Sequence, residues 1–254
     1  MATIKEVYDH LCTIAPLDLQ ASFDNSGFLI GRGDRFAKKA LLSLDITLPV
    51  IQEAAEIGAE LIISHHPVIF NALKELHPEG PGEKALLLAE KGIAAICMHT
   101  NLDIAEGGVN DVLIRLLGAE PEGPLDAEGC GRVGTLPEEL LLQDFLCRCK
   151  KRLDAKGLRY VDAGKPVHRI AVMGGSGADA IPNAIAKGCD TYVTADVKYH
   201  SFLDAAEQGI NLIDADHFCT ENPVIPILAN RLRGAFPDVE FAVSEVHHQV
   251  ISFF

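Results

Sequence analysis

Gly58-Ala59-Glu60-Leu61-Ile62-Ile63-Ser64-His65-His66-Pro67 is the stretch on which the reading of this chain turns. A helix-ending glycine leads into a short apolar run with β-branched residues, and the run stops at a histidine pair followed by proline. Residues 61–63 are therefore expected as a buried strand ending in a loop. Pro67 favours that ending because it has no ladder donor to give. Gly92-Ile93-Ala94-Ala95-Ile96-Cys97-Met98-His99 repeats the pattern and delivers Thr100-Asn101-Leu102-Asp103. Residues 188–196 and 209–217 echo these two stretches, as two copies of one α/β unit would.

Outward from there, helices are expected at 4–12, 51–57, 83–90, 138–153 and 223–232. Strands are expected at 28–30, 40–44, 158–161, 169–173, 191–194, 211–213, 239–243 and 250–253. This alternation predicts an α/β fold of two similar lobes with mostly parallel sheets. Pro121, Gly123, Pro124, Gly129 and Gly131 crowd one segment with breakers. The boundary is placed there, giving lobes 1–122 and 123–254, with the C-terminal strands able to pack back on the first lobe.

The chain's 254 residues, 48% hydrophobic and 23% charged, suffice for a core without disulfides. Its seven cysteines include no C-x-x-C pair and read as reduced thiols. The first ten residues lack the basic-then-apolar order of a secretory signal, and no apolar run approaches the roughly 20 residues that span a bilayer. A cytoplasmic protein without a membrane partner is expected. The formal charge of −14 opposes a phosphate backbone, which argues against a nucleic-acid partner. The one dense basic cluster, Lys150-Lys151-Arg152, suits a solvated helix face.

The reactive residues fall where ligands gather in open α/β sheets, beyond the carboxyl ends of strands. His65 and His66 would point to opposite faces of a regular strand, so they share a site only if the strand has ended. Two imidazoles splayed from one loop suit two metals roughly 3.5–4 Å apart, although an ordinary surface pair reads the same way. Asp103 adds a carboxylate, which elsewhere would be a helix cap. His217 and Glu221 stand four apart where a strand turns into a helix, and a carboxylate there also suits the helix dipole. Together the five side chains form a nitrogen-and-oxygen set for two divalent ions drawn from Zn, Fe, Mn, Co or Ni, with Glu221 as the bridging carboxylate.

The segments 61–70 (LIISHHPVIF), 98–103 (MHTNLD) and 214–221 (DADHFCTE) carry a resemblance, together with DNSGFLIG at 24–31 and DTYVTADVKYH at 190–200. In order and spacing they resemble the Nif-three-like family, the GTP cyclohydrolase 1 type 2 homologues. The resemblance covers nearly the whole chain. It implies a dinuclear metal site in a cleft between two α/β lobes, with ligands at His65, His66, Asp103, His217 and Glu221. It also implies a homohexameric ring and a GTP cyclohydrolase-like hydrolase acting on a nucleotide-like or phosphorylated small molecule. A metal-handling or scaffold protein is the alternative. Phe23 stands where the family often has Trp, and Asp216-His217-Phe218 where it often has Gly-His-Tyr, which alters the lining but removes no ligand.

Catalytic candidates beyond the ligands are His99, Asp196 and His200, each also readable as a packing or turn residue. Asp24, Asp214 and Asp216 are candidates to orient ligand imidazoles. The turn Gly174–Gly177 suits either a tight structural bend or a phosphate contact ahead of a helix.

Overall fold

The computed structural model describes residues 1–254, which form two compact units. One comprises Met1–Ala105 and Ile225–His248, and the other Glu106–Val224 and Gln249–Phe254.

The first unit contains α1 (Ile4–Ile14), β1 (Gly27–Ile30), β2 (Lys39–Ser43), α2 (Leu48–Glu56), β3 (Leu61–Ser64), α3 (Glu83–Lys91), β4 (Ala94–Cys97) and α4 (Thr100–Ile104). It also holds β10 (Glu240–Val243). A reciprocal cap starts α1: the Glu6 amide donates to Thr3 Oγ1, and the Thr3 amide to Glu6 Oε2 at 2.7 Å. The sheet runs β1-β4-β3-β2-β10, parallel except at β1. Every residue of β3 and β4 is buried, as both-face burial of a parallel strand demands. Leu41, Ile62 and Ala95 pack with Val50, Ile51 and Ala54 of α2 in one apolar cluster. Burial of each large aliphatic side chain there is worth about 1.5–3 kcal/mol.

The second unit contains α5 (Val109–Leu117), β5 (Arg132–Leu140), α6 (Leu142–Arg152), β6 (Arg159–Val161), β7 (Val167–Ser176), α7 (Ile181–Ala186), β8 (Thr191–Ala195), α8 (Tyr199–Gln208), β9 (Asn211–Asp214) and α9 (His217–Glu221). α10 (Val224–Ala235) begins at Val224, where the first stretch of this unit ends, and otherwise belongs to the first unit. The sheet runs β5-β7-β8-β9-β6, with the two edge strands antiparallel. Phe145, Val172, Val193 and Ile213 are fully buried in its core.

The sequence echo is structural. β3 pairs in parallel with β4 as β8 does with β9, and each pair has an antiparallel edge strand beside its second member. Gly58 and Gly188 take φ values of 70° and 73° after their helices, where only glycine is unstrained. Glu60 accepts the amides of Lys38 and Lys39 at the head of β2, and Asp190 accepts those of His168 and Arg169 at the head of β7.

Some expectations needed correction. The breaker-rich segment lies inside the second unit, where Gly123 bridges Val133 antiparallel. The helix expected from 138 starts at Leu142, because β5 runs on to Leu140. Residues 250–253 form no strand. Gly174 and Gly175 close β7 across an irregularity in its pairing with β8, and the first helical turn follows only at Ala178. Lys150, Lys151 and Arg152 are exposed in the last turn of α6, where cations complement the helix dipole. No helix is long and apolar enough to cross a membrane.

Candidate metal centre

In the first unit, β3 ends at Ser64 and the chain bends, with the amides of both His65 and His66 donating to the Leu44 carbonyl. The bend lets both imidazoles lie on one side. His99 joins them from the end of β4, giving ring-centroid separations of 5.0 Å for His65–His66, 5.1 Å for His65–His99 and 5.4 Å for His66–His99. One nitrogen from each of the three lies within 4.8 Å of the others, close enough to share an ion. His65 is fully buried, and its Nε2 stands 3.6 Å from Asp103 Oδ1, which α4 brings back toward the pair.

In the second unit, His217 opens α9 and Glu221 closes it, so one helical turn brings His217 Nε2 to 3.0 Å from Glu221 Oε2. Asp216 caps the helix by accepting the Cys219 amide at 3.1 Å. Asp196 Oδ2 lies 2.7 Å from His217 Nδ1. Asp196 and Asp216 both hold positive φ, at 52° and 74°, strain of the kind that collects at functional sites. Glu221 is nearly buried, and Gly175 passes so close beneath it that no side chain fits between.

All four imidazoles are anchored in the same sense. His65 Nδ1 bonds the Met98 carbonyl at 2.8 Å, His66 Nδ1 bonds Asp45 Oδ1 at 2.8 Å, and His99 Nδ1 bonds Asp24 Oδ1 at 2.7 Å. Asp196 does the same for His217. These oxygens only accept, so each Nδ1 carries the hydrogen and each neutral ring presents its lone pair at Nε2. Burial would raise the Asp24 carboxyl, but donors on His99, Thr100 and Ser26 hold it well below the usual range. Asp45 is part-buried, which would raise it, but His247 and His66 hold it low. For His217, burial opposes charge, yet Glu221 and then Asp196 outweigh it and push the pKa up to about 9 in the metal-free chain.

The thiols stay out of this chemistry. Burial and the neighbouring Asp216 push Cys219 up to about 12, and burial raises Cys97 further. The donor set is thus nitrogen and oxygen, which suits borderline divalent ions.

Of the expected residues, His65, His66 and Asp103 meet in the first unit, and His217 and Glu221 in the second. His99 and Asp196 stand beside them. His200 lies exposed on α8 with its ring against Tyr199. Asp214, an expected support for a ligand imidazole, instead pairs with Arg159 and accepts the Val197 amide. Asp45 is the orienting residue that sequence reasoning missed, although it follows the end of β2 as His65 follows β3. A cavity of about 300 Å³ adjoins His217, lined by Arg159, Asp196, Asp214, Asp216 and Phe253 among others.

The family described as Duf34/NIF3 (NGG1p interacting factor 3) matches residues 2–250. A GTP cyclohydrolase 1 type 2 homolog of Clostridium perfringens is 36% identical over 251 residues, 95% of this chain and 96% of that protein. Among solved structures, a Bacillus cereus protein related to NIF3 superposes with a TM-score of 0.93 at 25% identity, covering 100% of this chain and 99% of that one. A Staphylococcus aureus hypothetical protein superposes at 0.89 with 28% identity, covering 99% of each chain.

Proposed function

The chain belongs to the Duf34/NIF3 family, and on that premise we propose that it is a dinuclear metal-dependent hydrolase acting on a nucleotide-like or phosphorylated small molecule. The ligands of this reading are His65, His66, Asp103, His217 and Glu221, a nitrogen-and-oxygen set for two divalent ions drawn from Zn, Fe, Mn, Co or Ni. The observation that carries this reading is the anchoring of all three proposed ligand histidines, His65, His66 and His217, through Nδ1 to acceptor oxygens, the arrangement that fixes imidazoles as Nε2 metal ligands.

Bound divalent metals supply Lewis acidity and a water activated near neutral pH. The chain's own residues do the rest. Asp45 and Asp196 fix the rings of His66 and His217. Asp24 fixes His99, whose Nε2 is left to contact substrate. The cavity beside His217 is at the lower end of the range for small-molecule sites, roughly 300 Å³ and upward. The name borne by the Clostridium perfringens relative is in keeping with a purine nucleotide in that role. The same family membership supports a homohexameric ring, and the reduced thiols support a cytoplasmic setting.

A screen of GTP, other nucleotides and phosphomonoesters against metal-loaded and chelator-stripped protein tests the activity. Turnover that needs metal is expected. A fully loaded protein inert towards the whole panel refutes the hydrolase and leaves a metal-handling role.

A further inference from the structure

The residues that follow β10 contact a support of each group of ligands, Asp45 and Asp216. After β10, Ser244 Oγ donates to Glu53 Oε2, Glu53 Oε1 accepts the Glu245 amide at 2.8 Å, and the His247 amide donates to Ser244 Oγ at 3.2 Å. These bonds hold the His247 ring, whose side chain is only 10% exposed, with Nε2 at 3.1 Å from both the amide nitrogen and Oδ2 of Asp45. Asp45 Oδ1 is the atom that accepts from His66 Nδ1. With its hydrogen on Nε2, His247 donates to Asp45 Oδ2 and stands two hydrogen bonds from the His66 ring.

Two residues further on, Gln249 Nε2 donates to Asp216 Oδ1, the oxygen that caps α9 and so sets the turn carrying His217 and Glu221. The Gln249 side chain is itself tied down, with Oε1 accepting the Ile251 amide at 2.7 Å. Phe253 then seats on Gly157, where a Cβ would come within 2.6 Å of its ring. Neither Asp45 nor Asp216 is free to turn while these contacts stand.

We propose that the C-terminal segment is a positioning element of the metal centre, with His247 acting through Asp45 on His66, and Gln249 acting through Asp216 on His217 and Glu221. The proposal rests on the metal-binding reading above. It adds that ligand geometry in each unit depends on a tail that contributes no ligand. Loss of a group that touches a ligand directly costs about 10–100-fold in metal affinity, and loss of a residue one contact further out costs the lower end of that range or less.

Chelator-competition titration with Zn²⁺ tests it on the full-length wild type and on His247→Ala, His247→Gln, Gln249→Ala, Asp45→Ala and the Asp45→Ala/His247→Ala pair. Thermal melts of the metal-free proteins accompany the titrations and exclude unfolding. His247→Ala and Gln249→Ala are expected to bind up to about 10-fold more weakly, less than Asp45→Ala, with melting points near wild type. His247→Gln, whose amide nitrogen replaces Nε2, is expected to recover most of that loss. Because His247 works through Asp45, the double variant should bind no more weakly than Asp45→Ala alone. Wild-type affinity in both tail variants, or losses that add in the double variant, overturns the proposal while Zn²⁺ binding by the wild type keeps the metal site intact. A wild type that binds no Zn²⁺ overturns both.

Discussion

Replacing Gly175 by alanine separates the metal site from the fold more sharply than removing a ligand does. Gly175 sits at φ +64°, and a Cβ there would lie 2.1 Å from Glu221 Oε1 and 3.2 Å from His217 Nε2. The backbone cannot retreat, since its amide donates to Thr220 Oγ1 at 3.0 Å and its carbonyl accepts from Thr194 Oγ1 at 3.2 Å. The flexible end of Glu221 must yield instead, by about 1 Å, whereas metal–ligand distances tolerate roughly 0.2 Å. Alanine in the left-handed region costs about 1–2 kcal/mol, a few degrees of melting temperature at this size. Metal affinity should fall by at least the ~10–100-fold expected for a misplaced supporting group. Gly188→Ala is the control: φ there is +73° with nothing within 4 Å of the added Cβ, so it carries the same strain without touching a ligand. Chelator competition and metal-free melts on the pair should show similar melting losses but weakened binding only in Gly175→Ala. Wild-type affinity in a folded Gly175→Ala protein would refute the placement of Glu221 at the metals.

In metal-free protein, NMR titration should find His217 still protonated until about pH 9, because Glu221 and Asp196 outweigh the burial that opposes its charge. Its folded pKa is raised, so the stability it contributes is full below its unfolded value near 6.5 and drains away as pH climbs through 9. Denaturant melts across that window should show the decline in wild type and a smaller one in Glu221→Gln, which keeps Asp196 beside the ring, and a measured pKa near 6.5 would sink the assignment. Tyr192→Phe removes the buried hydroxyl that donates to the Gly177 carbonyl at 2.7 Å, a carbonyl that keeps the Ala180 amide as a second partner. Urea unfolding should register a loss of about 0.5–1.5 kcal/mol, and a neutral result would show that the bond adds nothing to stability.

The central strands were legible because parallel strands buried on both faces read as apolar runs with polar residues at their ends, as in Leu61–Ser64 and Ala94–Cys97, and Thr191–Ala195 and Asn211–Asp214 keep shorter apolar centres of the same kind. The ligand candidates were legible for the same reason, since a strand end is where polar groups reappear. β5 escaped notice because Gly134 and Pro137 interrupt its pattern. An antiparallel edge strand tolerates both, and its pairing with β7 is irregular between Thr135 and Leu140. Asp45 escaped because its partners, His66 and His247, lie 21 and 202 residues away in the chain. Apolar residues at 250, 251 and 253 suggested a strand, but Ile251 and Phe253 instead line the cavity beside His217. Local pattern carries no information about such distant closures.

Elemental analysis of purified wild type beside His65→Ala and Glu221→Ala bears most directly on whether these side chains hold metal. About two metals per chain in wild type, falling in each variant, is the result this account requires. Metal-free wild-type protein, or full retention of metal when Glu221 is removed, would contradict it.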